Sequence, residues 1–265
     1  MPKPLLERYY QGVTYFKAGD LDRALEAFRM VALSAPSDPL VHISLATALQ
    51  QHGDLEDAIA EYRRAIALRP YDAFARESLG LLLQSQGQLD EAIHEYAEAV
   101  RLRPDVPLMR LNLGIALRTR GDKDGAISEL KQVVQAYPDQ LKARSQLAAA
   151  YQDKGENRLA ADEYKRVLVH DPGNFSINLN FGSCLLSLKD YPGAASALQR
   201  AIRLDNSVPE SYALLSSALG AQNDLKGATE AIRQAVSLKT DRADWHTRLG
   251  DLYSKQSRVP DAIEE

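Results

Sequence analysis

A single cysteine, Cys184, stands in 265 residues, so no disulfide can form within the chain. That usage suits a reducing compartment. No run of about 18 apolar residues occurs, which excludes a membrane-spanning helix. The opening Met1-Pro2-Lys3-Pro4-Leu5-Leu6-Glu7-Arg8 has none of the apolar core of a secretory signal. A cytoplasmic location is expected on these grounds, and the acceptor-like Asn174-Phe175-Ser176 then reads as a loop-to-helix junction. Charge of one sign is also lacking. The net charge is -4, the sequence pI is about 5.8, and lysines and arginines are scattered. Nothing draws the chain to nucleic acid or to an anionic membrane. No G-x-x-x-x-G-K-[ST] or G-x-G-x-x-G phosphate loop is present. Among His42, His52, His94, His170 and His246 no two lie three or four residues apart. No metal, no cofactor and no catalytic residue is expected, so the chain does not read as an enzyme.

What is present is a repeat. Gly53 to Pro70 returns, with drift, every 34 residues. The glycine recurs at Gly19, Gly53, Gly87, Gly121 and Gly155, and the closing proline at Pro36, Pro70, Pro104, Pro138 and Pro172. An alanine keeps the same phase through the whole chain: Ala24, Ala58, Ala92, Ala126, Ala160, Ala194, Ala228 and Ala262. Counted from Leu5, the repeats run 5–38, 39–72, 73–106, 107–140, 141–174, 175–208, 209–242 and a cut-off 243–265. The expectation is one continuous array over 1–265.

Each repeat reads as two helices, A over positions 1–14 and B over positions 17–31. Ala92, Ile93, Tyr96, Ala99 and Val100 recur at three- and four-residue spacing, the stripe of an amphipathic helix. Position 15 is the glycine, where a left-handed residue ends helix A without steric cost. Asn223 tolerates that conformation; Lys189 and Ser257 should be strained there or turn differently. Asp20, Asp54, Asp122, Asp190 and Asp224 follow as helix N-cap types. Pro2 and Pro4 are expected to precede the first helix. Pro39, Pro107 and Pro209 open helix A, and Pro192 and Pro260 open helix B, where a missing N–H costs nothing. Position 8 is small (Gly12, Ala46, Gly80, Gly114, Ala148, Gly182, Ser216, Gly250), as is position 20. Position 24 is large (Phe28, Tyr62, Tyr96, Leu130, Tyr164, Leu198, Ile232), and so is position 11. The two helices should therefore touch at positions 8 and 20, with the large side chains wedged alongside.

This pattern resembles the tetratricopeptide repeat, written W-x-x-L-G-x-x-Y, A-x-x-x-F and P. The third repeat carries it as Leu79, Gly80, Leu83, Ala92, Tyr96 and Pro104, and the resemblance covers residues 5–265. It departs at position 4, where Arg8, His42, Arg76, Arg110, Arg144, Asn178, Tyr212 and His246 replace the family's frequent Trp. The resemblance implies an all-α solenoid, antiparallel helix pairs stacked in a right-handed superhelix with helix A lining a concave groove. It also implies protein binding, with a protein or peptide as partner. The chain stops at Glu265 within a helix B without a polar capping helix, so a longer protein is expected.

By the same resemblance, positions 2, 5, 6, 9, 12 and 13 of helix A face the groove. The first four repeats place there an apolar, partly aromatic floor, and docking of a partner's peptide or helix is expected on Tyr9, Tyr10, Val13, Ile43, Phe74, Leu81, Leu111 and Ile115. Neutral hydrogen-bonding groups, among them Asn112, Gln146 and Asn180, complete the set, and the later repeats turn polar. Chaperone-binding members carry Lys at position 5 and Asn at position 9; no repeat here has either. The asparagine ladder of the O-linked sugar transferases, at position 6, survives only at Asn112 and Asn180. Arg76, Arg110 and Arg144 recur one repeat apart, a column that either receives an acidic ligand or pairs with helix-B acids. The leading expectation is a non-catalytic interaction scaffold. The alternatives are the recognition arm of a larger enzyme such as a glycosyltransferase, and a self-assembling scaffold or homo-oligomer.

Overall fold

The computed structural model describes residues 2–256, and all regular structure among them is α-helix. The helices alternate as A and B: α1 (Lys3–Lys17), α2 (Leu21–Ser34), α3 (Pro39–His52), α4 (Leu55–Leu68), α5 (Ala73–Ser85), α6 (Leu89–Leu102), α7 (Pro107–Arg120) and α8 (Lys123–Ala136). They continue as α9 (Leu141–Lys154), α10 (Asn157–His170), α11 (Phe175–Ser187), α12 (Tyr191–Leu204), α13 (Pro209–Ala221), α14 (Leu225–Leu238) and α15 (Ala243–Lys255). Most begin and end within a residue of the expected positions. One correction falls at the start: Pro4 does not precede α1 but lies in its first turn, where the fixed φ of proline is compatible with helix and no N–H partner is lost. Ser257, Pro260 and Ala262 lie outside the described residues.

The chain divides after Glu129, inside α8, into two compact units. In the first, each helix from α1 to α7 packs on the next, and the A helices also meet, α1 with α3 and α5 with α7. In the second, α9 to α15 repeat the scheme, with α9 on α11 and α11 on α13. Each unit is thus held by contacts between neighbours in sequence, the mark of a solenoid.

The interior follows the phase of the repeat. Ala24, Ala58, Ala92, Ala126, Ala160, Ala194 and Ala228 have no exposed surface, and the large side chains at position 24 are buried against them. The close approach at position 8 is literal: a Cβ added at Gly80 would sit 2.8 Å from the Tyr96 ring, and one at Gly182 2.7 Å from Leu198. Position 24 of helix B therefore occupies the space that position 8 of helix A leaves free, burying side chains worth about 1.5–3 kcal/mol apiece. Position 15 is left-handed in each of the seven repeats where it is described, from Gly53 at φ 103° to Lys189 and Asn223, both at φ 64°. The first of the two alternatives for Lys189 holds: it adopts the strained turn rather than another one. Asp20, Asp122, Asp190 and Asp224 accept a hydrogen bond from the N–H three residues on, as N-caps do. Asp54 does not cap α4; its carboxylate takes the Nδ1 side of His52 at 3.0 Å instead.

Candidate functional site

The helix-A face of the first unit begins with its aromatics. Tyr9 packs edge-on against Tyr10, with ring centroids 5.8 Å apart, and lies 5.7 Å from Phe28. Its hydroxyl meets the Ser44 hydroxyl at 2.8 Å, which fixes Tyr9 between α1 and α3. Tyr10 turns outward and is 59% exposed. Phe74 is 54% exposed on α5 with the Arg103 guanidinium 5.8 Å from its ring, and Leu81 is exposed on the same helix. Val13, Ile43 and Ile115 are half-buried.

Two expected contacts are not available to a ligand. Leu111 is 1% exposed, taken up by the packing of α7 on its neighbours. Asn112 is buried, and its amide donates to Glu77 Oε1 at 2.9 Å across the joint between α5 and α7. Position 2, read as groove-facing, also supplies Leu6, Leu40 and Leu108, which were not placed in the docking set; all are exposed like Phe74. So in the first unit every position 2 is an exposed apolar side chain. In the second unit the same position is Lys142, Ser176, Glu210 and Asp244. Of the expected polar contacts there, Gln146 is half-buried with its Oε1 lacking a partner, and Asn180 is half-buried on α11.

The basic column resolves into internal pairs. Arg76 holds Glu95 at 2.7 Å, Arg110 holds Glu129, and Arg144 holds Glu163. His42 joins the series through Glu61, its Nδ1 at 2.5 Å from the carboxylate. Each pair links position 4 to position 23 of the same repeat. Position 4 also reaches back to the turn before it. Arg76 donates to Pro70 O, Arg144 to Pro138 O and Asn178 to Pro172 O, and the His42 and His246 rings meet Pro36 O and Thr240 O. A polar residue here does the joining work that a bulky ring does by packing, and the arginines are spent inside the repeat.

Position 12, read as groove-facing, is likewise committed. The buried tyrosine hydroxyls at position 24 donate to it: Tyr62 to Gln50, Tyr96 to Gln84 and Tyr164 to Gln152, at 3.3, 3.0 and 3.1 Å. A buried hydroxyl without such an acceptor is costly, which explains why glutamine stands there.

Glu77, on α5, has a perturbed proton affinity. Burial pushes its carboxyl above the usual range, and the hydrogen bond from Asn112 only partly opposes this. Tyr96 is pushed up as well, by burial first and then by the Glu77 charge. Cys184 is fully buried on α11, and burial raises its thiol to about 11, so the thiolate needed of a nucleophile is scarce at neutral pH. Among the described residues no group of three or more His, Cys, Asp or Glu is placed to hold a metal ion, and no helix is long and apolar enough to cross a membrane.

A helix-pair array with an unpartnered helix-A face defines a class whose work is protein–protein interaction. The tetratricopeptide-repeat family matches residues 9–73, 78–140, 145–209 and 209–242, and the chain belongs to that family. No curated protein gives a match. Among solved structures, MamA is similar at 26% identity over 60% of this chain and 86% of that one, with a TM-score of 0.58. YrrB, described as a TPR protein with an unusual peptide-binding site, is 23% identical over 76% of this chain and all of its own, with a TM-score of 0.64. The C-terminal part of a TPR protein from Cytophaga hutchinsonii is 16% identical over 89% and 97% of the two chains, with a TM-score of 0.74. The last two show the fold alone.

Proposed function

We propose that this protein is a non-catalytic scaffold whose first unit captures an apolar segment, peptide or helix, of a partner protein on its helix-A face. The observation that carries this reading is the stripe of exposed apolar side chains. Leu6, Leu40, Phe74 and Leu108 repeat at one position of four successive A helices, joined by Tyr10 and Leu81. None is needed to fill the interior, and apolar side chains held on rigid helices are the usual anchors for a bound segment. The wet side of the face at position 13 is exposed, uncharged at Gln51, Ser85 and Thr119 and cationic at Lys17, suited to the polar flank of an amphipathic ligand. Asn112 is occupied by Glu77, which leaves little of a backbone-holding amide ladder and favours this reading over a transferase recognition arm.

Selection of binders from a random peptide display library on the intact protein tests this. The enriched peptides should carry regularly spaced apolar residues, and Phe74→Ser with Leu81→Ser should abolish their capture while leaving the thermal melt in place. Enrichment of highly charged peptides, or binding indifferent to both substitutions, would overturn it.

A further inference from the structure

The second unit has a recess on its helix-B side that the helix-A reading does not use. It lies between α10 and α12, over α11, and encloses about 410 Å3, within the ~300–1,000 Å3 of ligand-sized pockets. Phe181, Leu185 and Leu188 form its apolar floor. The walls are low because Gly193, Ser196 and Ala197 on α12 face Ala161 on α10. Position 23 can be as small as Ala197 because position 4 of this repeat, Asn178, bonds backbone carbonyls and asks for no acid. Around the rim stand Arg158, Lys165 and Arg200, all exposed, and none has an ion pair or side-chain hydrogen bond among the described residues.

Arg158 is out of place by local rules. It occupies position 18, in the first turn of helix B, where the first four repeats carry Asp22, Glu56, Asp90 and Asp124, and where Pro192 and Lys226 stand in α12 and α14. An acid there is favoured by the helix dipole and a cation is opposed. The first turns of α10, α12 and α14 all have no acid. What sets Arg158 apart from Lys226 is its place on the recess, beside Lys165 and Arg200.

We propose that this recess is a second, independent docking site, taking an acidic segment of a partner protein that seats one bulky apolar side chain on Phe181, Leu185 and Leu188 between carboxylates held by Arg158, Lys165 and Arg200. Charge complementarity selects this occupant. The acids of the rim are Asp162 and Asp190, and Asp190 is already engaged with the Gly193 N–H. A flat anionic bilayer would press on Asp162 as well as on the cations. A chain segment can place its carboxylates on the three cations and pass Asp162 by.

The test is an amide-shift titration of the intact protein with the acetylated peptide Asp-Glu-Phe-Leu-Glu-Asp. Shifts should fall on α10, α11 and α12. Lys165→Glu with Arg200→Glu should weaken the peptide roughly tenfold or more, about 1.4 kcal/mol, with helix content unchanged, and Lys165→Arg should retain it. Leu188→Ser should weaken it through the floor alone. The peptide Lys-Arg-Phe-Leu-Arg-Lys should not bind. The proposal is overturned by shifts absent or scattered, by equal affinity of the charge-reversed variant, or by phosphatidylserine vesicles binding where the peptide does not. Phe74→Ser with Leu81→Ser leaves every residue of the recess in place, so failure here and failure of the helix-A reading are told apart.

Discussion

At single residues the repeat is governed by steric fit and by backbone conformation. Ala92 has no exposed surface and sits where α5 and α6 touch. Ala92→Leu should cost on the order of 1–3 kcal/mol through overpacking, read as a lowered denaturation midpoint. Lys189 carries φ 64°, a conformation that burdens any Cβ. Lys189→Gly should raise stability by about 1 kcal/mol, less what glycine loses in the unfolded chain, and a fall in the melting temperature would contradict the strain. Glu77 gives a pH signature. Its folded proton affinity is raised, so the native state favours the protonated form; that preference stabilises fully below the unfolded value and is lost as pH rises through the folded one. Glu77→Gln keeps an acceptor for Asn112 without the buried charge. It should melt higher than the parent at pH 7, and the two curves should converge on acidification below pH ~4. Cys184 should resist thiol reagents until the protein unfolds, given its burial and raised thiol.

Between helices, polar pairing does as much to set the register as apolar packing does. The Arg76–Glu95 pair is mostly enclosed, and removing one member leaves the other without its partner. Arg76→Met should cost roughly 1–3 kcal/mol, and a double-mutant cycle with Glu95→Ala should return part of it. Helix boundaries were legible in the sequence because glycine, proline and capping residues punctuate every repeat. The pairs were legible too, in a different signal. Glutamate stands at position 23 in Glu61, Glu95, Glu129 and Glu163, the repeats where position 4 is His42, Arg76, Arg110 and Arg144, and alanine replaces it beside Asn178 and Tyr212, with the first repeat, Arg8 beside Ala27, as the exception. Gln50, Gln84 and Gln152 likewise accompany Tyr62, Tyr96 and Tyr164 and no other repeat. Reading positions one at a time hides this, whereas reading them jointly shows which polar groups are already spoken for. Leu111 could not be separated from Phe74 in this way. Exposure of an apolar side chain depends on how tightly adjacent A helices close, and the spacing of residues carries no record of that.

Across the molecule, stability is a sum over neighbours within each unit, since among the described residues the helices that pack together are near one another in sequence. Leu198→Ala, which opens a cavity against Gly182, should cost about 2–5 kcal/mol. Hydrogen exchange should then quicken in α10 to α13 and leave α1 to α5 protected; a uniform loss of protection would count against this architecture. The placement of the two polar pairs has a further outcome. Positions 4 with 23, and 12 with 24, close inside one 34-residue period. A duplication or deletion of 73–106 as a block therefore orphans neither the arginine nor the tyrosine hydroxyl. The bonds across a joint, Tyr9 with Ser44 and Glu77 with Asn112, differ from one joint to the next. Lengthening the array by gene duplication is thus chemically permitted at the level of the cassette, and the seams are where each new copy must adapt.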